Sequence, residues 1–311
     1  MKIAILDDYQ NVSLEMADWS GISAKTDITV FTENIADPEE LIERLAPFDI
    51  LCVMRERTPL SREILGRLPR LKLIASTGSR NGSINLSAAA DHNIEVMHTR
   101  YSPVSTIELT WALILASARN LLAEADSVRL GGWQRRIGDE IRGKVLGILG
   151  LGNIGSEVAN IARAFGMSVI AWSENLDPEK ARKQNVRWVS KQELFQQADI
   201  ITIHLILSSR TRELVGRTEL GLMKRSARLV NTSRGPIVDE AALVDALRNQ
   251  QIAGAAIDVF DVEPLPLSHP LRTLDNAIAT PHIGFVSRDL YQVFYQDTVA
   301  NIEKWMQTTG A

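Results

Sequence analysis

A single cysteine, Cys52, stands in the whole chain, so no intrachain disulfide can form. Its place in an apolar, strand-like run reads as a buried structural thiol, and so little cysteine fits a reducing compartment. Positive charge is also in short supply. The 34 Lys and Arg residues are outnumbered by 38 Asp and Glu, for a net charge of −4, which gives no electrostatic footprint for nucleic acid or an anionic membrane. Long apolar runs are missing as well. The longest clean one, residues 111–116, is far short of the roughly 20 residues that span a bilayer. Near the start, Asp7 and Asp8 interrupt the chain before a secretory signal core could form. No internal repeat, low-complexity run or flexible linker is visible, and no metal site is expected. These absences point to a cytoplasmic globular protein without nucleic-acid or membrane partners, and 311 residues suggest about two domains.

What the chain does have is concentrated in one stretch. Residues 145–149, Val-Leu-Gly-Ile-Leu, form an apolar run of strand length, followed by Gly150, Gly152 and Gly155 at G-x-G-x-x-G spacing. Helical periodicity then begins, with Ile154, Val158, Ile161, Ala162 and Phe165 on one face. The first glycine permits a tight turn, the second lets a pyrophosphate approach the backbone, and the third lets helix pack on strand. A diphosphate there would meet unpaired N–H groups and the positive end of a helix dipole. Glycine clusters also make ordinary turns. The strand before and the helix after are what make this one a dinucleotide site. An Asp or Glu that holds the adenosine ribose is expected about twenty residues on, but the chain reads Ser173-Glu174-Asn175. Serine leaves room for a 2′-phosphate, yet no Arg follows directly, and Glu174 would either repel a phosphate or itself hold a 2′-hydroxyl. NAD is the expected cofactor, and Lys180, Arg182 and Lys183 keep NADP open.

The rest alternates between strand and helix. Apolar runs at 2–6, 49–54, 71–75 and 94–97 read as strands before the glycine stretch, and those at 168–172, 199–203, 227–230, 253–257 and 277–279 after it. Asp37-Pro38-Glu39-Glu40 starts a helix with an N-cap, a proline at the first position and acid in the first turn. Asp177-Pro178 starts another, and Ser190 with Glu193 makes a capping box. Long helices are expected at 103–121 and 287–306. The polar, basic, glycine-broken stretch between 121 and 143 is expected to run outside the core. This alternation implies parallel sheets covered on both faces.

Ligands on such sheets sit beyond the carboxyl ends of the strands. Three segments there carry ionisable groups: Asn231-Thr-Ser-Arg-Gly235, Asp258-Val-Phe-Asp-Val-Glu-Pro264 and Pro281-His-Ile-Gly284. Moving a hydride to or from a carbon that bears oxygen also requires a proton at that oxygen. Imidazole, which titrates near neutral pH, suits this task. A guanidinium suits a 2-oxo acid, because its planar fork pairs two-point with a carboxylate. Spacing alone does not show that Arg234, Glu263 and His282 converge; a lone His after a strand is more often a surface or capping residue.

VLGILGLGNIG, NTSRGPIVDEAAL, GAAIDVFDVEPLP and TPHIG, in this order, resemble the D-isomer-specific 2-hydroxyacid dehydrogenase family, and LKLIASTG and the Glu108 helix match it too. The resemblance implies two doubly wound α/β domains. A dinucleotide-binding Rossmann domain, residues 103–285, is inserted into a flavodoxin-like substrate domain of residues 1–102 and 286–311, with hinges near Ser102 and Val286. It implies His282 as acid/base, Glu263 as its partner and Arg234 as the carboxylate anchor. Asn153 and Ile154 would lie along the diphosphate and Ser173 at the ribose. Thr232 and Gly284 would lie around the nicotinamide half, with Asp258 on its carboxamide, and Ser233, Arg234 and His282 would also bind the cofactor. Arg55, Thr77, Gly78 and Ser79 match positions that touch substrate, and domain closure would carry them onto it. The segment 121–142 corresponds to the family's dimer arm, so a homodimer is expected.

Three departures matter. Ser173 replaces the usual Asp, Ser79-Arg80-Asn81-Gly82 replaces a glycine-rich substrate loop, and the chain stops soon after Trp305. The last departure leads us to expect no serine-responsive regulatory domain. The expected activity is NAD(P)-dependent interconversion of a small 2-oxo acid and its D-2-hydroxy acid. The alternatives are a non-catalytic NAD-sensing protein on the same fold and a formate- or phosphite-type dehydrogenase.

Overall fold

Among the described residues every strand pairing is parallel. The computed structural model describes residues 1–310, and the chain divides into two compact units, Met1–Ser102 with the segment from Val286, and Pro103–Phe285.

The first unit holds β1 (Lys2–Ile5), β2 (Asp27–Val30), β3 (Ile50–Val53), β4 (Leu73–Ser76) and β5 (Glu95–His98), in the order β2-β1-β3-β4-β5. Both β3 and β4 are buried at all four positions. That explains their apolar sequence, interrupted only by the buried Ser76 that ends β4, since a strand covered on both faces has no polar alternation. Cys52 lies in β3, and burial pushes its thiol well above the ordinary range, in keeping with a structural thiol. The helix Pro38–Leu45 begins as its sequence dictates, with the Asp37 carboxylate accepting the Glu40 N–H. The final helix, Arg288–Thr309, buries Phe294, Tyr295 and Ile302, and its Asp297 carboxylate accepts two hydrogen bonds from the Arg100 guanidinium at 2.8 and 3.0 Å.

The second unit holds β6 (Val145–Leu149), β7 (Ser168–Trp172), β8 (Arg187–Trp188), β9 (Ile200–Ile203), β10 (Arg228–Asn231), β11 (Gly254–Ile257) and β12 (Ala277–Ala279). Their order is β12-β11-β10-β9-β6-β7-β8. One apolar cluster, built around Phe195, Leu243 and Leu247, covers one face, and a second, around Trp111, Ile114 and Val158, covers the other. From β6 the chain winds outward through β7 and β8, then returns to β9 on the opposite side of β6. The loops after β6 and β9 therefore diverge, and the crevice between them is where a doubly wound sheet binds its ligand.

The differences from the sequence expectations have local causes. β2 and β8 escape a hydrophobicity reading because they are edge strands with exposed positions. The helix expected over 103–121 ends at Ala118, where Asn120 turns left-handed at φ 51°, and a second helix, Leu121–Arg129, follows with only Ser127 buried. Phe165, expected on the buried face of its helix, is 38% exposed and stacks on Trp111 with ring centroids 5.0 Å apart. No helix among the described residues is long and apolar enough to cross a membrane.

Candidate active site

The glycine turn is built by close approach. Gly150 sits at φ +98°, and a Cβ on Gly155 would come within 2.1 Å of the Gly150 carbonyl oxygen. Above Gly152, by contrast, there is open space. The helix Asn153–Ala164 has no side-chain cap, so its first N–H groups, which have no intrahelical partner, are left for a ligand. This cradle opens into a cavity of about 690 Å³ whose walls include Gly150, Gly152, Ser173, Glu174, His204 and Arg210. A bare backbone cradle at a helix N-terminus, beside a cavity of this size at the switch point, fits a dinucleotide. Among the described residues no group of three or more His, Cys, Asp or Glu side chains is arranged to hold a metal ion.

His204, at the end of β9, was not singled out by the sequence. Its Nε2 lies 3.0 Å from Thr202 Oγ1. The residue keeps some surface toward the cavity, but burial of the ring pushes its pKa down to about 3, so it is neutral at physiological pH.

Further along the same sheet edge, His282 Nδ1 lies 2.6 Å from Glu263 Oε2. Burial raises the Glu263 carboxyl pKa, but the hydrogen bond and charge of His282, the Phe260 N–H and the Arg234 guanidinium outweigh it and hold the group below the usual carboxylate range. An ionised carboxylate can only accept, so Nδ1 carries the proton and Nε2 is left for chemistry. The other Glu263 oxygen, Oε1, accepts the Phe260 N–H at 2.9 Å, and the Phe285 ring stands edge-on to the imidazole at 5.5 Å.

The loop that carries His282 hangs on Asp258. This fully buried carboxylate accepts the Thr280 hydroxyl at 2.6 Å and the Ile283 N–H at 2.9 Å on Oδ1, and the Gly284 N–H at 2.8 Å on Oδ2. Burial is the largest influence on Asp258 and leaves its pKa above the ordinary value. The family resemblance implies that Asp258 binds a carboxamide; in the structure its oxygens hold the 280–284 loop, in which His282 itself sits at φ 52°. The helix Val104–Ala118 fastens the same region. Thr106 donates to the Gly284 carbonyl at 2.9 Å, and the Thr110 hydroxyl is 2.8 Å from that of Thr232.

Arg234 follows β10 on a loop tied down internally. Asn231 donates to the Arg234 carbonyl at 2.9 Å and accepts the Ser233 N–H at 3.0 Å, while the Ser233 hydroxyl donates to the Leu205 carbonyl. Gly235 then lets this loop press on the next one, since a Cβ there would lie 2.1 Å from the Phe260 carbonyl carbon. That contact brings the Arg234 and Glu263 loops together.

In the first unit, Arg55, Thr77 and Gly78 are neighbours. The Thr77 hydroxyl accepts the Arg55 N–H at 2.8 Å, and Gly78, at φ +85°, has the Arg55 guanidinium packed where a Cβ would stand. The Arg55 guanidinium also lies 5.1 Å from the Tyr101 ring centroid. Ser79 is exposed. Asn81, which the sequence left without a role, donates to the Arg55 carbonyl and to Ser76 Oγ.

Comparison with known proteins agrees with this architecture. The family model described as "D-isomer specific 2-hydroxyacid dehydrogenase, NAD binding domain" matches residues 111–284. D-3-phosphoglycerate dehydrogenase of Methanocaldococcus jannaschii is 41% identical over 79% of this chain and 47% of its own length, so the chain spans about half of that relative. Glyoxylate reductase of Aeropyrum pernix is 42% identical over 73% of this chain and 71% of its own. A crystal structure of a phosphoglycerate oxidoreductase from Vibrio cholerae O395 superposes with a TM-score of 0.94 at 37% identity, covering 99% of each chain. With the glycine cradle at its switch point and this likeness along most of its length, the chain belongs to the D-isomer-specific 2-hydroxyacid dehydrogenase family.

Proposed function

We propose that the protein is an NAD(P)-dependent oxidoreductase that interconverts a small 2-oxo acid and its D-2-hydroxy acid. The observation that carries this reading is the 2.6 Å contact between His282 and Glu263, on the strand edge that also bears the glycine cradle. When bound, the dinucleotide supplies or accepts the hydride. The chain's own residues do the rest. The Arg234 fork holds the substrate carboxylate two-point and so orients the carbonyl. His282, its Nδ1 fixed on Glu263, gives a proton from Nε2 to the carbonyl oxygen in reduction and takes it back in oxidation. Asp258 keeps the imidazole in place by holding its loop, and the second lone pair of Oδ2 is left to accept a carboxamide N–H. Thr232, Ser233 and Gly284 shape the backbone around that half of the cofactor, and Gly150, Gly152, Asn153, Ile154 and Gly155 cradle the diphosphate. In the first unit, we assign Arg55, Thr77, Gly78 and Ser79 to substrate recognition.

We further assign the protein to the cytoplasm and to a homodimer formed through residues 121–142. Leu121, Leu122, Val128, Leu130, Trp133 and Ile137 of that segment are all exposed, and so large an apolar set calls for a partner surface.

Oxidation of NADH and NADPH with glyoxylate, hydroxypyruvate and 3-phosphohydroxypyruvate, and reduction of NAD+ and NADP+ with formate, each at saturating concentration, tests the reading. Turnover of one or more 2-oxo acids supports it. Cofactor binding without turnover would favour a sensing protein, and formate oxidation alone a different chemistry.

A further inference from the structure

The cavity beside the glycine cradle carries more basic side chains than the segment after β7 alone suggests. At the end of β7, where a ribose-binding carboxylate is expected, Ser173 lines the wall, with Glu174 and Asn175 beside it. Lys180 and Lys183 line the same cavity from the helix that follows, and Arg210 lines it from the loop after β9. Of the three basic residues singled out in the sequence, Arg182 is not among the lining residues and is paired with Glu179 at 2.9 Å. Lys180 is in contact with Asp177 at 3.0 Å. Among the described residues neither Lys183 nor Arg210 has an ion-pair or hydrogen-bond partner. Three cations thus line the cavity together with Ser173, and Glu174 is the one carboxylate in its lining.

A site that selects against a 2′-phosphate does so with a carboxylate that both accepts from the ribose and repels the phosphate. Here the repelling group is a single exposed side chain, Glu174, next to the expected ribose position, and two unpartnered cations line the same cavity. We propose that the cavity takes a 2′-phosphorylated dinucleotide, NADP(H), in preference to NAD(H), with Arg210 and Lys183 as the phosphate partners and Ser173 making room for it. Arg210 is the stronger of the two, because its planar fork pairs two-point with phosphate. The inference rests on the reading of this cavity as the dinucleotide site.

Equilibrium binding, followed by fluorescence for NADH and NADPH and by calorimetry for 5′-AMP and 2′,5′-ADP, tests it without recourse to turnover. NADPH is expected to bind more tightly than NADH, and 2′,5′-ADP more tightly than 5′-AMP, with the preference shrinking as ionic strength rises. Arg210→Ala is expected to weaken NADPH by about ten- to a hundredfold, the loss of a charge-assisted hydrogen bond to phosphate, while leaving NADH nearly unchanged. Lys183→Ala should act in the same direction but less, and Ser173→Asp should reverse the preference. Equal or tighter binding of NADH by the unaltered protein would overturn the inference and leave the dehydrogenase reading intact. An NADPH-to-NADH ratio unmoved by Arg210→Ala would overturn the assignment of the phosphate partner. Failure to bind either dinucleotide would overturn both readings.

Discussion

Glu263 Oε2 lies 2.6 Å from His282 Nδ1, and the other oxygen of the same carboxylate accepts the Phe260 N–H. The carboxylate is thereby held from two sides, and the imidazole is held by it. His282→Asn is expected to lower turnover by about two to four decades with dinucleotide binding retained. Glu263→Gln should cost about one to two decades, because an amide can donate to Nδ1 and favour the wrong tautomer. Steady-state rates beside binding titrations check both; full activity in His282→Asn would remove it from the mechanism.

Arg234 is expected to be a residue that lysine cannot replace. The two-point pairing proposed for the substrate carboxylate would be lost in Arg234→Lys even though the charge is kept. We expect kcat/KM for the 2-oxo acid to fall by about ten- to a hundredfold, with NAD(P)H affinity changed far less. A variant with wild-type kcat/KM would show that the substrate carboxylate sits elsewhere.

Asp258 has three donors aimed at its two oxygens. In Asp258→Asn, one oxygen becomes an NH₂ group that must face an N–H or hydroxyl donor in a buried place. The expected cost is about 2–4 kcal/mol of stability, measurable by urea unfolding, together with a loss of turnover as the His282 loop loosens. An unchanged unfolding midpoint would mean that the loop is held by other contacts.

Gly235→Ala is expected to be as damaging as a catalytic change without touching a catalytic group. Its methyl would have to displace the Phe260 backbone, parting the Arg234 and Glu263 loops. We expect about 2 kcal/mol or more of destabilisation and a kcat loss disproportionate to it. A well-folded, fully active variant would show that the two loops need not touch.

His204 predicts an acid-sensitive stability. Its folded-state pKa, about 3 against an ordinary 6.5, means that the unfolded chain binds a proton the folded one refuses. Stability therefore falls as pH drops from about 6.5 toward about 3. Thermal unfolding between pH 7 and pH 4 should show this slope, and His204→Gln should flatten it. An equal slope in both proteins would assign the acid sensitivity to other groups.

The sequence makes the parallel fold legible wherever a strand is buried on both faces, because runs such as 50–53 and 200–203 carry no polar alternation. It hides β2 and β8, whose edge positions mix polar and apolar residues like a loop. The glycine turn is equally plain, since its three glycines are dictated by contacts within one short segment. The pairing of His282 with Glu263 is not legible from spacing. It depends on strand order, on Gly235 admitting Phe260, and on Asp258 gathering the 280–284 backbone, all of which are long-range. The motif resemblance supplied what periodicity lacked. His204 and Arg210 stayed hidden because they follow β9, which becomes a neighbour of the glycine turn only when the chain doubles back past β6.

A sheet whose strands all run one way has two unlike rims. In the second unit the cradle, His204, Arg234, Glu263 and His282 crowd the rim where strands end, so the opposite rim is left to plain returns such as Gly166, at φ 77°, and Gln250, at φ 51°. Extra residues spliced into those returns should be carried silently, as surface loops away from a ligand usually allow. The same insert placed after β9 would stand in the mouth of the cavity.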